Sequence, residues 1–293
     1  MSAPEQLQPL EPGMERIAIV GRGDFADEVA RAVQALAELT LAGRVDPGAP
    51  LPDGAGLVLC LAEPEERVAV IQQATGAGLP VATLPLTETG DAPRGALGAG
   101  RVAQVSALRG YAALETLRAE VAGGALGRPY GVFASHRVRP GQQGLFASLG
   151  VPLLHYVYAL AGAPVSLAQT TRAAIHGGEP DAWFVIAQTS GGPLLTVEFG
   201  AILPAESPAP QELLVEATGS EGVLRGEPLR QSVVVSNQKG TSARPWWSAL
   251  GPGFLGAALG AIQAHDPARE QGFLDFLGAV YRAVEAGQPA AVA

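Results

Sequence analysis

The segment Arg16-Ile-Ala-Ile-Val20 is a short β-branched strand that runs straight into Gly21-Arg22-Gly23-Asp24-Phe25-Ala26 and then into an Ala-rich, helix-favouring stretch to Ala37. A strand, a glycine turn and a helix start in immediate succession point to a parallel α/β sheet. The spacing fits the dinucleotide fingerprint G-x-G-x-x-A. Gly21 permits the tight turn, Gly23 lets the backbone approach a pyrophosphate, and Ala26 allows close packing of helix on strand. The amides at the helix start then face the phosphates. Arg22 and Phe25 occupy variable positions, and Asp24 is expected as the N-cap, its carboxylate turned onto its own helix. A tight turn in an α/β domain that holds no nucleotide has the same appearance.

The next strand, Leu39 to Gly43, is expected to end at Arg44, where an NAD-dependent protein usually places the acid that holds the adenosine ribose; an arginine there meets a 2′-phosphate or nothing. Only Val45 to Ala55, rich in Pro and Gly, separates it from the following strand, Gly56 to Ala62. A parallel crossover with its own helix needs about a dozen residues or more, so the usual helix and strand do not fit here. Glu63 to Ala77 reads as a helix with Pro64 in its first turn, Leu79 to Leu84 as a strand, Gly90 to Gly100 as a turn-rich loop and Arg101 to Leu108 as the last strand of this half.

From Tyr130 the pattern changes to strands between turns, at residues 130–139, 165–171, 183–189, 194–199, 212–218 and 232–236. Alternation in Leu213-Leu-Val-Glu-Ala-Thr218 predicts a sheet with one covered and one open face. Glu270 to Ala286 reads as a helix with Phe273, Phe276, Leu277, Val280 and Tyr281 on one packing stripe. The fold class is therefore α/β: a reduced, doubly wound Rossmann sheet over residues 14–110, after a disordered tail at 1–13, and a second α+β domain with a largely antiparallel open sheet over 111–293.

Composition excludes several functions. The net charge of −9 opposes attraction to a phosphate backbone, and no basic cluster interrupts it, so nucleic acid is not a partner. No apolar run approaches the roughly 20 residues that cross a bilayer. Met1 to Gly13 has no basic residue and lacks the form of a secretory signal, which with the single cysteine, Cys60, places the chain in the cytoplasm. His136, His155, His176 and His265 are scattered, so no metal site is expected. Pro245-Trp246-Trp247 and Leu250-Gly-Pro-Gly-Phe254 read as a lid, a partner anchor or a loop tucked on the sheet. Arg137 and Arg139 share a strand face and either meet an anion or face water.

In order and spacing these pieces resemble the glucose-fructose oxidoreductase, inositol dehydrogenase and rhizopine-catabolism (Gfo/Idh/MocA) family. The likeness rests on Gly21-x-Gly23-x-x-Ala26, Leu-Cys-Leu-Ala-Glu-Pro64, residues 74–81, residues 117–131 with their Gly-x-Leu-Gly turn, residues 144–162, and Gln271 to Tyr281. The resemblance implies NAD or NADP, a small sugar-like ligand, hydride transfer at a sugar-type carbon, and an open sheet face that pairs subunits as a homo-oligomer or with an active relative. Through the same family it implies a Lys in a Glu-Lys-Pro motif, and an Asp and a His four residues apart.

This sequence departs at each of those places. Thr83-Leu84-Pro85 stands where Glu-Lys-Pro is expected, and the only lysine in the chain, Lys239, is far away. The Asp and His positions align with Ser148 and Pro152. His155, on the same helical face as Pro152, is the one titratable group nearby; an unperturbed pKa of about 6.5 suits a general base, and the alternative is a histidine hydrogen-bonded within the domain interface. Losing one acid-base group costs roughly 10²- to 10⁴-fold in rate. The sequence therefore reads as a pseudo-oxidoreductase kept for binding, regulation or pairing. Two other readings stand beside it: an active oxidoreductase working through His155, and a structural module that binds no nucleotide.

Overall fold

The computed structural model describes residues 10–230, 232–238, 240–245, 250–286 and 290–291. The chain forms two compact units, one of residues 1–110 and 248–271, the other of 111–247 and 272–293.

The first unit opens with β1 (Arg16–Val20), α1 (Gly23–Ala35), β2 (Thr40–Val45) and β3 (Leu57–Cys60). It continues with α2 (Arg67–Gly76), β4 (Val81–Thr83), α3 (Asp91–Gly98) and β5 (Val102–Gln104). The five strands are parallel, in the order β2-β1-β3-β4-β5. Residues 46–56 join β2 to β3 without a helix, as their length and their proline and glycine content predict. The segment 91–98, expected as loop, is helical instead: Pro93, Ala96 and Leu97 are buried along it. Proline is tolerated there because it falls in the first turn.

In chain order the second unit follows, with α4 (Ala112–Ala122), β6 (Pro129–Val138), α5 (Val151–Ala161), β7 (Val165–Ala173), β8 (Ala182–Thr189) and β9 (Leu194–Gly200). Then come β10 (Gln211–Gly219), β11 (Gly222–Glu227), β12 (Ser232–Asn237) and β13 (Gly240–Pro245). Helix α6 (Leu250–Gln263) belongs to the first unit, and α7 (Pro267–Ala286) begins in the first unit and ends in the second, before β14 (Ala290–Ala291). The second sheet has the order β13-β12-β11-β10-β6-β9-β8-β7-β14 and is antiparallel except where β6 meets β9. Strands β11 and β13 and helix α6 were not anticipated.

In the first unit, Ile17, Ile19, Leu57, Leu59, Ala82 and Ala103 form one apolar face of the sheet, covered by α1 and α6. Phe254 of α6 is fully buried and meets Phe25 edge-on at 5.1 Å. A second domain running unbroken from 111 to 293 is thereby corrected. The sheet face beneath α1 needs a second apolar cover, and residues 250–263 supply it. The tail is corrected too: residues 1–9 lie outside the described residues, but Leu10 packs on this core and Glu11 pairs with Arg101 at 2.8 Å.

In the second unit, α4 packs on β11 and β12, and α5 on β6 and β9. Phe146, Trp183 and Phe199 form an aromatic cluster with centroid separations of 5.4–5.9 Å. On β10 the predicted alternation holds, Leu213, Val215 and Ala217 being buried and Leu214 and Glu216 not. Leu167 on β7, Phe184 on β8 and Leu194 on β9 stay exposed. Among the described residues no helix is long and apolar enough to cross a membrane, and no group of three potential metal ligands gathers.

Candidate dinucleotide site and the proton-transfer positions

Parallel strands bring their carboxyl ends to one edge of the first sheet, and backbone hydrogen bonds fix that edge. Gly21 N donates to Val45 O at 3.1 Å, Leu61 N to Val20 O at 2.8 Å, Leu84 N to Cys60 O at 3.2 Å and Val105 N to Thr83 O at 2.7 Å. The residues that follow each strand therefore lie side by side. Ligands of open α/β sheets bind outside this edge, where the strand order reverses; here that is between β1 and β3.

The glycine turn has the properties that its sequence predicts. A Cβ at Gly21 would stand 2.8 Å from the Leu61 carbonyl, so only glycine passes there, while a Cβ at Gly23 meets nothing within 4 Å. Gly23 has φ +81° and leaves its backbone facing open space. Ala26 is fully buried against the sheet. Asp24 is not the N-cap: the helix starts at Gly23, Arg22 holds the cap position, and no side chain caps the first amides. A carboxylate already inside the first turn cannot play that part. Phe25 turns its ring onto Phe254. The amides at the start of α1 are thus left for an anion, and the residues present fit a pyrophosphate.

Arg44 is not at the strand end. β2 runs on to Val45, and Arg44 folds back, donating from Nε to Gly21 O at 3.1 Å and from Nη1 to the Asp27 carboxylate. Asp46 becomes the first residue past the strand, the position of the ribose-binding acid. It accepts from Arg22 Nε at 3.1 Å, and Arg22 Nη1 reaches Glu66 at 3.5 Å. Pro64 opens the short helical turn that carries Glu66. Reading the strand two residues short concealed Asp46.

Leu84 is half-buried against the apolar core, and the segment around it is tied down on both sides. The buried guanidinium of Arg67 donates to Ala62 O at 3.0 Å and to Pro85 O. Leu86 N donates to Gln104 Oε1 at 2.9 Å. Glu270, buried in the first turn of α7, accepts from Gln104 N at 2.9 Å and Gln104 Nε2 at 3.1 Å. Burial pushes its carboxyl up to about 7, against the pull of both Gln104 donors. The sequence offered Glu270 only as the start of a helix. Cys60 is buried, which raises its thiol and leaves it unreactive.

The remaining aligned residues belong to the second unit. Ser148 is exposed in a wide helical turn and donates to Gly144 O at 3.0 Å. Pro152 sits in the first turn of α5. His155 is buried, its ring edge-on to Phe273 at 4.7 Å. Arg137 pairs with Glu198 at 2.7 Å and Arg139 donates to Ser207 O. Trp246, Trp247 and Lys239 lie outside the described residues.

The doubly wound parallel sheet with a glycine turn at its carboxyl edge, accompanied in the same chain by a mostly antiparallel sheet, is an arrangement that solved structures share. An oxidoreductase from Sinorhizobium meliloti matches with a TM-score of 0.76 at 14% identity over 94% of this chain and 98% of its own. A myo-inositol dehydrogenase from Corynebacterium glutamicum matches with 0.74 at 16% identity over 95% and 98%. An oxidoreductase from Agrobacterium radiobacter, solved with NAD+, L-tartaric acid and magnesium, matches with 0.74 at 16% identity over 94% and 98%. No family model and no curated protein matches the sequence. The resemblance read from the sequence holds at the level of fold: the chain has the fold of the Gfo/Idh/MocA oxidoreductases.

Proposed function

We propose that this chain binds NAD at its glycine turn and does not by itself carry hydride transfer at a sugar-type carbon, serving as a cofactor-holding or regulatory partner. Bound nicotinamide supplies a hydride acceptor or donor. An alcohol carbon gives up hydride only as a base removes the hydroxyl proton. One observation carries the reading: the three aligned proton-transfer positions hold Leu84, half-buried in the apolar core, Ser148, whose hydroxyl is engaged by Gly144 O, and Pro152. The uncapped amides of α1, the open space over Gly23 and the acid after β2 support the retention of dinucleotide binding.

Calorimetry with NAD and NADH, paired with a turnover assay on sugars and polyols, tests both halves. Binding without turnover is expected. Turnover at an ordinary rate, abolished by His155→Ala, would establish the active alternative, and absence of binding would leave a purely structural module.

The same reading has the outer face of the second sheet meet another subunit, itself or an active relative. Leu167, Phe184 and Leu194, each 39–48% exposed, support it. Light scattering is expected to give at least the mass of a dimer, alone or mixed with such a relative. A monomer in both cases would refute it.

A further inference from the structure

Among the described residues Arg67 is the only buried arginine, 9% exposed. It opens α2, close after the end of β3, and its side chain reaches across to the segment that follows β4: Nε donates to Ala62 O at 3.0 Å and Nη1 to Pro85 O. Two neighbouring strand ends are thus tied through one guanidinium. Its hydrogen bonds go to neutral carbonyls, and it enters no ion pair among the described residues. Carbonyls satisfy its donors and leave its charge in place, because an arginine in a protein keeps its proton.

A buried charge without a counter-charge is costly. Burial pulls the pKa of Arg67 down, and Cys60, Glu63 and Glu65 act against that pull. None of them cancels the charge. The Cys60 thiol is itself pushed up by burial and stays protonated, while Glu63 and Glu65 are exposed, where water screens them. A fixed positive charge therefore lies beneath the carboxyl edge, between the ends of β3 and β4.

That edge has a direction. With a pyrophosphate on the amides of α1, beside β1, the adenosine half would extend toward the end of β2, and the nicotinamide half would extend the other way, over the ends of β3 and β4. The two redox forms of the ring differ in charge: oxidised nicotinamide is a cation and reduced nicotinamide is neutral, with the rest of the dinucleotide the same. A buried cation below the ring repels the first form and is indifferent to the second.

Resting on the dinucleotide-binding reading above, we propose that Arg67 is a specificity-determining residue that makes the chain prefer NADH to NAD+, its charge disfavouring the oxidised ring. Occupancy of the site then follows the reduction state of the cofactor pool, which gives a regulatory partner its signal.

The test is calorimetric titration with NAD+, NADH and ADP-ribose, which has no ring, of the unaltered chain, Arg67→Gln, Arg67→Met and Arg67→Lys, with circular dichroism to check folding. The unaltered chain is expected to bind NADH at least about fivefold more tightly than NAD+. The two neutral variants are expected to bring that ratio close to one, and Arg67→Lys, which keeps the charge, to retain most of it. Loss of packing alone would weaken both nucleotides together and leave the ratio where it was. Equal binding of NAD+ and NADH by the unaltered chain, a ratio that survives in a folded neutral variant, or a ratio that Arg67→Lys loses as fully as Arg67→Gln would overturn the proposal while leaving the dinucleotide site standing. Failure of the unaltered chain to bind NAD+, NADH or ADP-ribose would remove the site and the proposal together.

Discussion

A methyl group added at Gly21 would press on the Leu61 carbonyl, whereas one added at Gly23 enters open space and strains only the backbone, at φ +81°. The two glycines are therefore separable by experiment. Gly21→Ala forces β1 and the end of β3 apart and is expected to cost about 1–3 kcal/mol, in the range of overpacked interiors. Gly23→Ala is expected to cost about 1–2 kcal/mol through its left-handed backbone and to weaken NAD binding at least about tenfold, since its Cβ occupies the approach of the pyrophosphate. Thermal melts and calorimetry check the pair; a Gly23→Ala chain that binds NAD normally would contradict the placement of the cofactor. The close approach at Gly21 and the open backbone at Gly23 were legible in the sequence, because a glycine turn between strand and helix has few geometries. Asp46 was not legible. Its place depends on where β2 stops, and that is set by the bond from Gly21 N to Val45 O, which no local pattern in residues 39–46 announces.

Among the elements, α7, β5 and the loop after β4 are coupled through one buried carboxylate. Glu270 accepts two bonds from Gln104, whose side-chain oxygen holds Leu86 N. Its carboxyl sits at about 7 in the folded chain against an ordinary 4.5. Between those values the folded form keeps a proton that the unfolded chain releases, so the stability contributed by this group is full below about pH 4.5 and falls as pH rises toward 7. The loss is on the order of 3 kcal/mol. Denaturant unfolding from pH 4.5 to 8 is expected to show a smaller decline in Glu270→Gln than in the unaltered chain, and parallel profiles would contradict the coupling. The sequence reading placed most strands of the second sheet close to their observed positions, because β-branched runs between turns mark themselves. It missed α3 and α6, since Asp91-Ala-Pro-Arg-Gly-Ala-Leu-Gly98 and Leu250-Gly-Pro-Gly-Phe254 carry the glycine and proline of loops. In each helix the proline falls in the first turn, where it does no harm. Burial, of Leu97 on α3 and Phe254 on α6, then overrides weak propensity.

At the scale of the whole molecule, the chain leaves the first unit after Gly110, returns at Ser248 and leaves again after Gln271. A single sequence signals a domain by a change of pattern, and the change at residue 111 is visible as the onset of strands between turns. A return is harder to see, because α6 looks like any apolar segment until its partner surface is known. The return has a consequence for how the protein is made. Residues 14–110 emerge from the ribosome long before residues 250–263, and at roughly 5–20 residues per second the gap is about 8–30 s. Throughout that interval α1 alone covers this face of the newborn first sheet, and the apolar surface that α6 will bury stays open to water and to neighbouring chains.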